Sequence, residues 1–476
     1  MKKWLGITVL LLLFPLISHA ETISVSPGNG TITKALSACA DGDVIELGDG
    51  VYAEPEEAFP LTITRRVTIR AADGASPVID APEMKAALRV EAGGVTLEDL
   101  EIRFRRTGIY AIGNDMSLNR CRIILADENW RVSSCGIWCG GIFRMALRDC
   151  AFTGCSVALA GPPLSERSEN LPKLTGLFEV GEDPEFFTSH LIENCTVNGK
   201  PLFYAASLPS VTPPDGCGEI ICCGCDEVSV RDTAVSDGSM GIVLAYNQQI
   251  RVENTRADRC GLFGIYVAKC SGGRIAGCTS EGTNHGFDIR ADRNITLENC
   301  TAVSCEQGLF FSFVTDSVMK DCSAIDTRQG FFTACGSGNT LTGCLASGCE
   351  NGFHLEKEGN LLMASCTAEK CTVCGVRADK TPGDFVHNTL RRNWVAFMAY
   401  GNASLDIADN IFDENENCAL YFRNIGFSRV IGNRFTGSTQ YGLVAIGSMS
   451  GSIWAGNAPE FPADLSRMTD GFVRMD

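Results

Sequence analysis

Residues 286–351 read GFDIRADRNITLENCTAVSCEQ, GLFFSFVTDSVMKDCSAIDTRQ and GFFTACGSGNTLTGCLASGCEN, three successive units that each open on glycine and run for 22 residues. The glycine column extends from Gly241 through Gly264, Gly286, Gly308, Gly330 and Gly352 to Gly375, at steps of 22 or 23. Cys278, Cys300, Cys322, Cys344 and Cys366 recur every 22 residues, with Thr255 ahead of them and Asn388, Asn410 and Asn433 behind. A third column reads Cys260, Thr283, Cys305, Thr327, Cys349 and Cys371. Three columns in one register mark a structural repeat. Inside each unit, runs such as GFDIR and ITLEN alternate over four or five residues, which is the period of a strand. Short strands in a 22-residue unit, with like residues stacked on like, describe one coil of a parallel β-helix, coils pairing at ~4.8 Å. The leucine–asparagine consensus of a leucine-rich repeat is missing.

The chain before residue 241 follows the same rule less regularly. Cys121, Cys150, Cys195 and Thr233 sit in the contexts NRC, RDC, ENC and RDT, at spacings of 29, 45 and 38. The excess predicts loop insertions near 161–190 and 198–216, and loops of repeat proteins commonly carry function. TITKALSACA (Thr31–Ala40) reads as an amphipathic helix within an N-terminal cap at 21–60, covering the end of the core as a solenoid requires. Residues 458–476 lose the period and are expected to be a C-terminal cap or tail. The expectation is an all-β protein: one single-stranded parallel β-helix of about 15 coils over 21–457.

Met1–Ala20 reads MKKWLGITVLLLLFPLISHA, with basic Lys2 and Lys3, an apolar Leu5–Ile17 and a small residue at the end. This is the pattern of a cleavable export signal. No cysteine follows it to carry a lipid, so a periplasmic or secreted protein is expected. No later segment reads as a membrane span. With 57 acidic against 40 basic residues the formal charge is −17. That excludes nucleic acid as a partner, since phosphates need a basic surface.

The 24 cysteines are too widely spread for a small disulfide-stapled domain. Stacked in the coil columns they pack as small hydrophobes. Neighbouring Cα atoms at ~4.8 Å also fall within disulfide range, although parallel side chains oppose closure. Both readings stay open. Cys217, Cys222, Cys223 and Cys225, and the Cys371/Cys374 pair, raise the question of a soft metal. Adjacent Cys222 and Cys223 on a strand would face opposite sides, however. No metal ligands are assigned and no cofactor is expected.

Strand parity places Ile242, Ile265, Phe287, Leu309, Phe331, Phe353 and Val376 inward. The residue after each, and the residue two further on, should then face out. Substrate-binding candidates on that face are Tyr266, Phe310, Phe332, Arg377, Asp379, Tyr400 and Tyr421. Catalytic candidates are Asp288, Arg290, His354 and Glu356. Aromatic rings among hydrogen-bonding charges suit a linear polysaccharide, and exposed aromatics also suit a protein partner. Asp288 and His354 lie three coils apart, ~14 Å, too far for direct proton exchange.

GDVIELGDGVY, VTIR and GVTLEDLEIR, which follow the cap segment, resemble the entry region of secreted right-handed β-helix proteins grouped as carbohydrate-binding and sugar-hydrolase (CASH) domains. ENCTVNGKPLFY with GEIICCGCDEVSVRDT resembles the β-helix family named for NosD, a periplasmic maturation factor for a copper enzyme. The resemblance implies a right-handed helix. It also implies that both cysteine columns occupy asparagine-ladder positions, to which Asn388, Asn410 and Asn433 revert. It further offers an alternative role, the handling of copper or sulfur for a partner enzyme, and a third one, a structural or surface protein without a small ligand. Relatives of this type include pectate lyases, polygalacturonases and alginate epimerases. The chain lacks the GHG and RIK motifs of the polygalacturonases. Of the epimerase GFDPHD-like turn, GFDIR at Gly286–Arg290 keeps only the first aspartate. Catalysis as a lyase, hydrolase or epimerase is therefore left undecided, and fold alone does not settle it.

Overall fold

The computed structural model describes residues 20–29, 31–82, 85–130, 134–161, 183–401, 404–437, 440–458, 463–468 and 473–475. Short alternating strands stack coil on coil into a parallel β-solenoid of about 19 turns, more than the 15 expected. Part of the difference arises at the two ends. Thr22–Val25 and Val44–Leu47 already pair within the cap segment. Beyond residue 458, Ala463–Met468 pairs with Tyr441–Gly447, and Val473–Met475 with Ile453–Ala455. Loss of the side-chain period does not stop a ladder, because the bonds belong to the backbone. Helix α1 (Thr31–Ala38) covers the N-terminal end and buries Ile32 and Ala35.

The solenoid is built in two runs. The first has a 7-stranded sheet from Thr22–Val25 to Leu191–Glu193, a 5-stranded sheet from Leu61–Ile63 to Val157–Ala160, and a third sheet from Gly50–Ala53 to Thr196–Val197. The second has a long front sheet from Lys200–Ala206 to Ala463–Met468, a 13-stranded sheet and a 10-stranded one. Between the runs, Thr196–Val197 pairs with Lys200–Pro201 antiparallel, and every other pairing among the described residues is parallel. Asn198 and Gly199 make the reversal with φ of 51° and 76°, the two left-handed residues of a type I′ turn. The stretch 198–216 is therefore only partly the loop expected, since Lys200–Ala206 and Ser210–Val211 enter the sheets. Of the insertion near 161–190, residues 162–182 lie outside the described residues. Helix α2 (Glu185–Thr188) follows, with Phe187 buried.

The two runs share a core. The apolar cluster of the first run, from Ile32 to Val197, continues onto Leu202, Ile221, Cys223, Val243, Ala245, Tyr266 and Ala268 of the second. These are side chains on the outer side of the front sheet. They close the end of the first run, whose last coil would otherwise expose its interior. Ser156 and Ser239 lock the junction. Each backbone N–H donates to the other hydroxyl at 2.8 Å. Cys222 and Cys223 do face opposite sides, one in each core.

All 24 cysteines are free thiols. The repeat columns stack in the second core. Cys300, Cys344 and Cys366 each donate Sγ–H to a carbonyl 25 residues back, at 3.4–3.5 Å. Asn388, Asn410 and Asn433 send Nδ2–H to the equivalent carbonyls at 2.7–3.0 Å. Thiol and amide thus fill one ladder.

Candidate outer-face groove

The front sheet departs from simple alternation at its glycines. A Cβ on Gly264 would lie 2.7 Å from the Gly286 carbonyl oxygen and 2.2 Å from Ser280 Oγ, on the core side. Only glycine permits that approach. Because Gly264 and Ile265 both lie inward, Phe263 before them turns out. Further along, Cys374, Val395 and Cys418 form an outer cluster with Met398, Tyr421, Tyr441 and Val444. Parity alone misses this extra outward column. The signal that finds it is the glycine column itself.

The outer face divides into a covered and an open part. Tyr266 and Asp288 are both 0% exposed, contrary to the expectation of a solvent-facing column. Tyr266 is filled over by the first run. Asp288 holds His285 Nδ1 at 2.6 Å and Arg290 Nε at 2.6 Å. Burial alone would raise its carboxyl, but Arg290 and His285 outweigh it and bring it down to about 2. Asp288 is a permanently charged anchor inside a closed cluster. Arg290 also lies over the Phe310 ring at 5.2 Å.

Phe310 and Phe332 are half-buried and stacked on each other at 4.9 Å with planes 7° apart. His285 stands edge-on to Phe310 and His354 edge-on to Phe332. The faces of both phenylalanines are thus occupied within the protein, which leaves only their rims to a ligand.

Past His354 the surface opens. A groove of about 450 Å³ is lined by Glu356, Lys357, Arg377, Asp379, Lys380, Tyr400, Gly401, Arg423 and Asn424. Glu356, Asp379, Tyr400 and Arg423 are successive partners in one register column. Arg377 lies over the Tyr400 ring at 5.4 Å and donates to Asp379 at 2.8 Å. Tyr421 packs on Tyr400 with centroids 5.9 Å apart. His354 Nε2 stands 3.4 Å from Asp379 Oδ2. Burial would raise Asp379, but His354 and Arg377 hold its carboxyl below the usual range.

The structure therefore gathers Arg377, Asp379, Tyr400 and Glu356 at one groove, with His354 and Tyr421 at its border. It does not bring the four catalytic candidates together, because Asp288 and Arg290 are closed off in their own cluster. Lys357, Lys380 and Asn424 were missed, since they lie on the turns after the strands rather than in the outward columns. The one-coil adjacency of Glu356 and Asp379 was readable from the repeat. Among the described residues no group of three or more His, Cys, Asp or Glu side chains is placed to hold a metal ion. No helix there is long and apolar enough to cross a membrane.

No curated protein sequence matches the chain. Solved structures give distant likenesses. A pectate lyase, Pel9A, is 13% identical over 70% of this chain and 80% of its own, with a TM-score of 0.29. The catalytic unit of a GH87 α-1,3-glucanase from Streptomyces thermodiastaticus is 12% identical over 93% and 69%, with a TM-score of 0.33. The A-module of the Azotobacter vinelandii mannuronan C-5 epimerase AlgE6 is 12% identical over 94% and 93%, with a TM-score of 0.28. Scores this low carry no inference about this chain. The family model described as "Right handed beta helix region" matches at 185–313, 241–395 and 307–458. Those spans cover more than half of the chain, and they follow the coil ladder described above; the chain belongs to the right-handed β-helix family.

Proposed function

We propose that the protein binds a polysaccharide segment in the outer-face groove of its front sheet. The observation that carries this reading is the groove itself: an open trough whose floor is a tyrosine ring held under a guanidinium, rimmed by carboxylates and amines. The part of Tyr400 that Arg377 leaves uncovered offers apolar surface to a sugar, and the charged rim supplies hydrogen bonds to its hydroxyls. Arg377, Asp379, Tyr400 and Tyr421 make the contact surface, with His354 and Glu356 beside it. Tyr266, Asp288 and Arg290 are framework, and Phe310 and Phe332 brace the groove's near end. With its carboxyl held below the usual range by His354 and Arg377, Asp379 suits hydrogen bonding to a sugar rather than the general-acid role of a glycosidase. The leader at Met1–Ala20, read as an export signal, would deliver the protein to the periplasm or beyond, where such polymers occur.

The test is affinity electrophoresis over a broad glycan panel. Tyr400→Ala should weaken binding of the retained glycan at least tenfold, about 1.4 kcal/mol, with the melting temperature little changed. If no glycan on the panel retards the native protein, the reading is wrong.

A further inference from the structure

The charges lining the groove do not cancel. Lys357 is paired with Glu356 at 2.7 Å, and Arg377 with Asp379 at 2.8 Å. Lys380 and Arg423 also line the groove and are exposed. Among the described residues neither has an ion-pair partner. The groove thus carries two uncompensated cations on a chain whose formal charge is −17.

Their placement is set by the ladder. Asp379, Tyr400 and Arg423 follow one another on adjacent coils. Lys380 N–H donates to the Tyr400 carbonyl, and Gly401 N–H to the Arg423 carbonyl. Lys380 and Arg423 therefore stand two coils apart, ~9.6 Å along the solenoid axis at the sheet spacing. The coil between them carries Tyr400 on the strand and Gly401, with φ 58°, on the turn. The turn before it carries Lys380 and the turn after it Asn424, and the glycine makes room for the Lys380 side chain, whose Cγ would lie 3.7 Å from a Cβ at Gly401.

We infer that the ligand is an anionic polysaccharide, its acidic groups held by Lys380 and Arg423 two coils apart while the sugar between them packs against the uncovered edge of Tyr400. This deepens the polysaccharide reading and rests on it. A carboxylate or a sulfate ester meets the same chemistry, since a guanidinium pairs either by a fork and an ammonium pairs either as a point charge.

The experiment compares charged polymers with neutral forms of the same backbone. The pairs are polygalacturonate with its full methyl ester, alginate with its propylene-glycol ester, and dextran sulfate with dextran. Dissociation constants are measured for the full-length mature protein and for the Lys380→Gln/Arg423→Gln variant, whose melting temperature is checked first. The charged member of at least one pair should bind tenfold or more tighter than its neutral form. The double variant should lose that margin, and added salt should erode it in the native protein. A margin in the ester pairs names a carboxylate, and one in the dextran pair names a sulfate. Equal affinity for charged and neutral members, or a margin untouched by the double variant, overturns the anionic assignment and leaves the polysaccharide reading standing. Absence of binding to every polymer, charged or neutral, overturns both.

Discussion

Asn410 shows what a ladder position contributes. Its Nδ2–H reaches the Phe385 carbonyl at 2.7 Å, and its Oδ1 accepts the Asn388 backbone N–H at 2.8 Å. The side chain is 2% exposed, so neither partner can turn to water. Cys344 fills the same column with a single sulfur, which shares one S–H between the Met319 carbonyl at 3.4 Å and the Thr342 carbonyl at 3.5 Å. An unpaired buried donor or acceptor costs ~1–3 kcal/mol, whereas a thiol is only a weak donor. Asn410→Ala strands two such groups and should lower stability by roughly 3 kcal/mol. Cys344→Ala loses a weak bond and a sulfur's packing, roughly 1 kcal/mol. Denaturant midpoints of the two variants decide it, and equal losses would contradict a distinct role for the amide. The thiols survive in this column because burial suppresses their chemistry. The Cys322 thiol, for example, is lowered by its hydrogen bond with Cys300, but the Cys344 thiol and burial outweigh that and push it up to about 12. No thiolate forms at Cys322 near neutral pH to attack a neighbour.

Among the elements, α2 and the residues that follow it act as a clamp. The Met145 backbone N–H donates to His190 Nδ1 at 3.2 Å, and His190 Nε2 meets the Phe186 carbonyl at 2.8 Å. Tyr204, from the second run, donates to the Phe187 carbonyl at 2.8 Å, and Phe187 packs on Tyr246 with ring centroids 5.7 Å apart. One short segment thereby ties both runs together. Burial brings His190 down to about 4. In the unfolded chain it titrates near 6.5. Between those values the unfolded chain binds the extra proton, so stability falls as pH drops from about 6.5 to 4, by about 3 kcal/mol at most. Hydrogen exchange over 183–190 should lose protection across that window. His190→Gln should remove the step, and an unchanged profile in the variant would refute the assignment. This clamp was not legible in the sequence, where 161–190 reads only as an interruption of the repeat. The ladder was legible because Cys278 to Asn433 keep one spacing, and spacing is what a solenoid selects. The outer column was half legible. Parity placed Tyr400 and Asp379 correctly, but nothing local to Tyr266 announces that a coil from an earlier run lies against it. The glycine column was visible, yet its consequence, two successive inward residues, emerges only when neighbouring carbonyls are placed at 2.5–2.8 Å from the missing Cβ atoms.

At the scale of the whole molecule, the junction between the runs contains one group that does not suit it. Glu219 is 0% exposed, at the start of the strand Glu219–Cys223. Its Oε2 stands 3.5 Å from the Val157 backbone nitrogen, and its Oε1 has no hydrogen-bond partner among the described residues. The titratable groups nearest it are the thiols of Cys135, Cys139, Cys155 and Cys260, each of which its charge would push up further. Among the described residues no cation pairs with it, and burial raises its carboxyl well above the ordinary range, against the weaker pull of Ser156 and Val157. The folded protein therefore retains a proton that the unfolded chain gives up near pH 4.3. Above that pH the folded state binds more protons than the unfolded state, and the linkage makes stability fall as pH rises toward the folded value. Glu219→Gln keeps the acceptor toward Val157 and has no proton to lose. The variant should match the native protein at pH 4 and melt at a higher temperature at pH 7 to 8, with the gap widening between. Because the same group sits where the outer face of the second run closes the core of the first, the stabilisation should also appear as slower exchange at Ser156 and Ser239, whose hydroxyls and amides make the seam. A melting-temperature difference independent of pH would show that Glu219 is not held protonated, and the account of the junction as a neutral, apolar plug would fail with it.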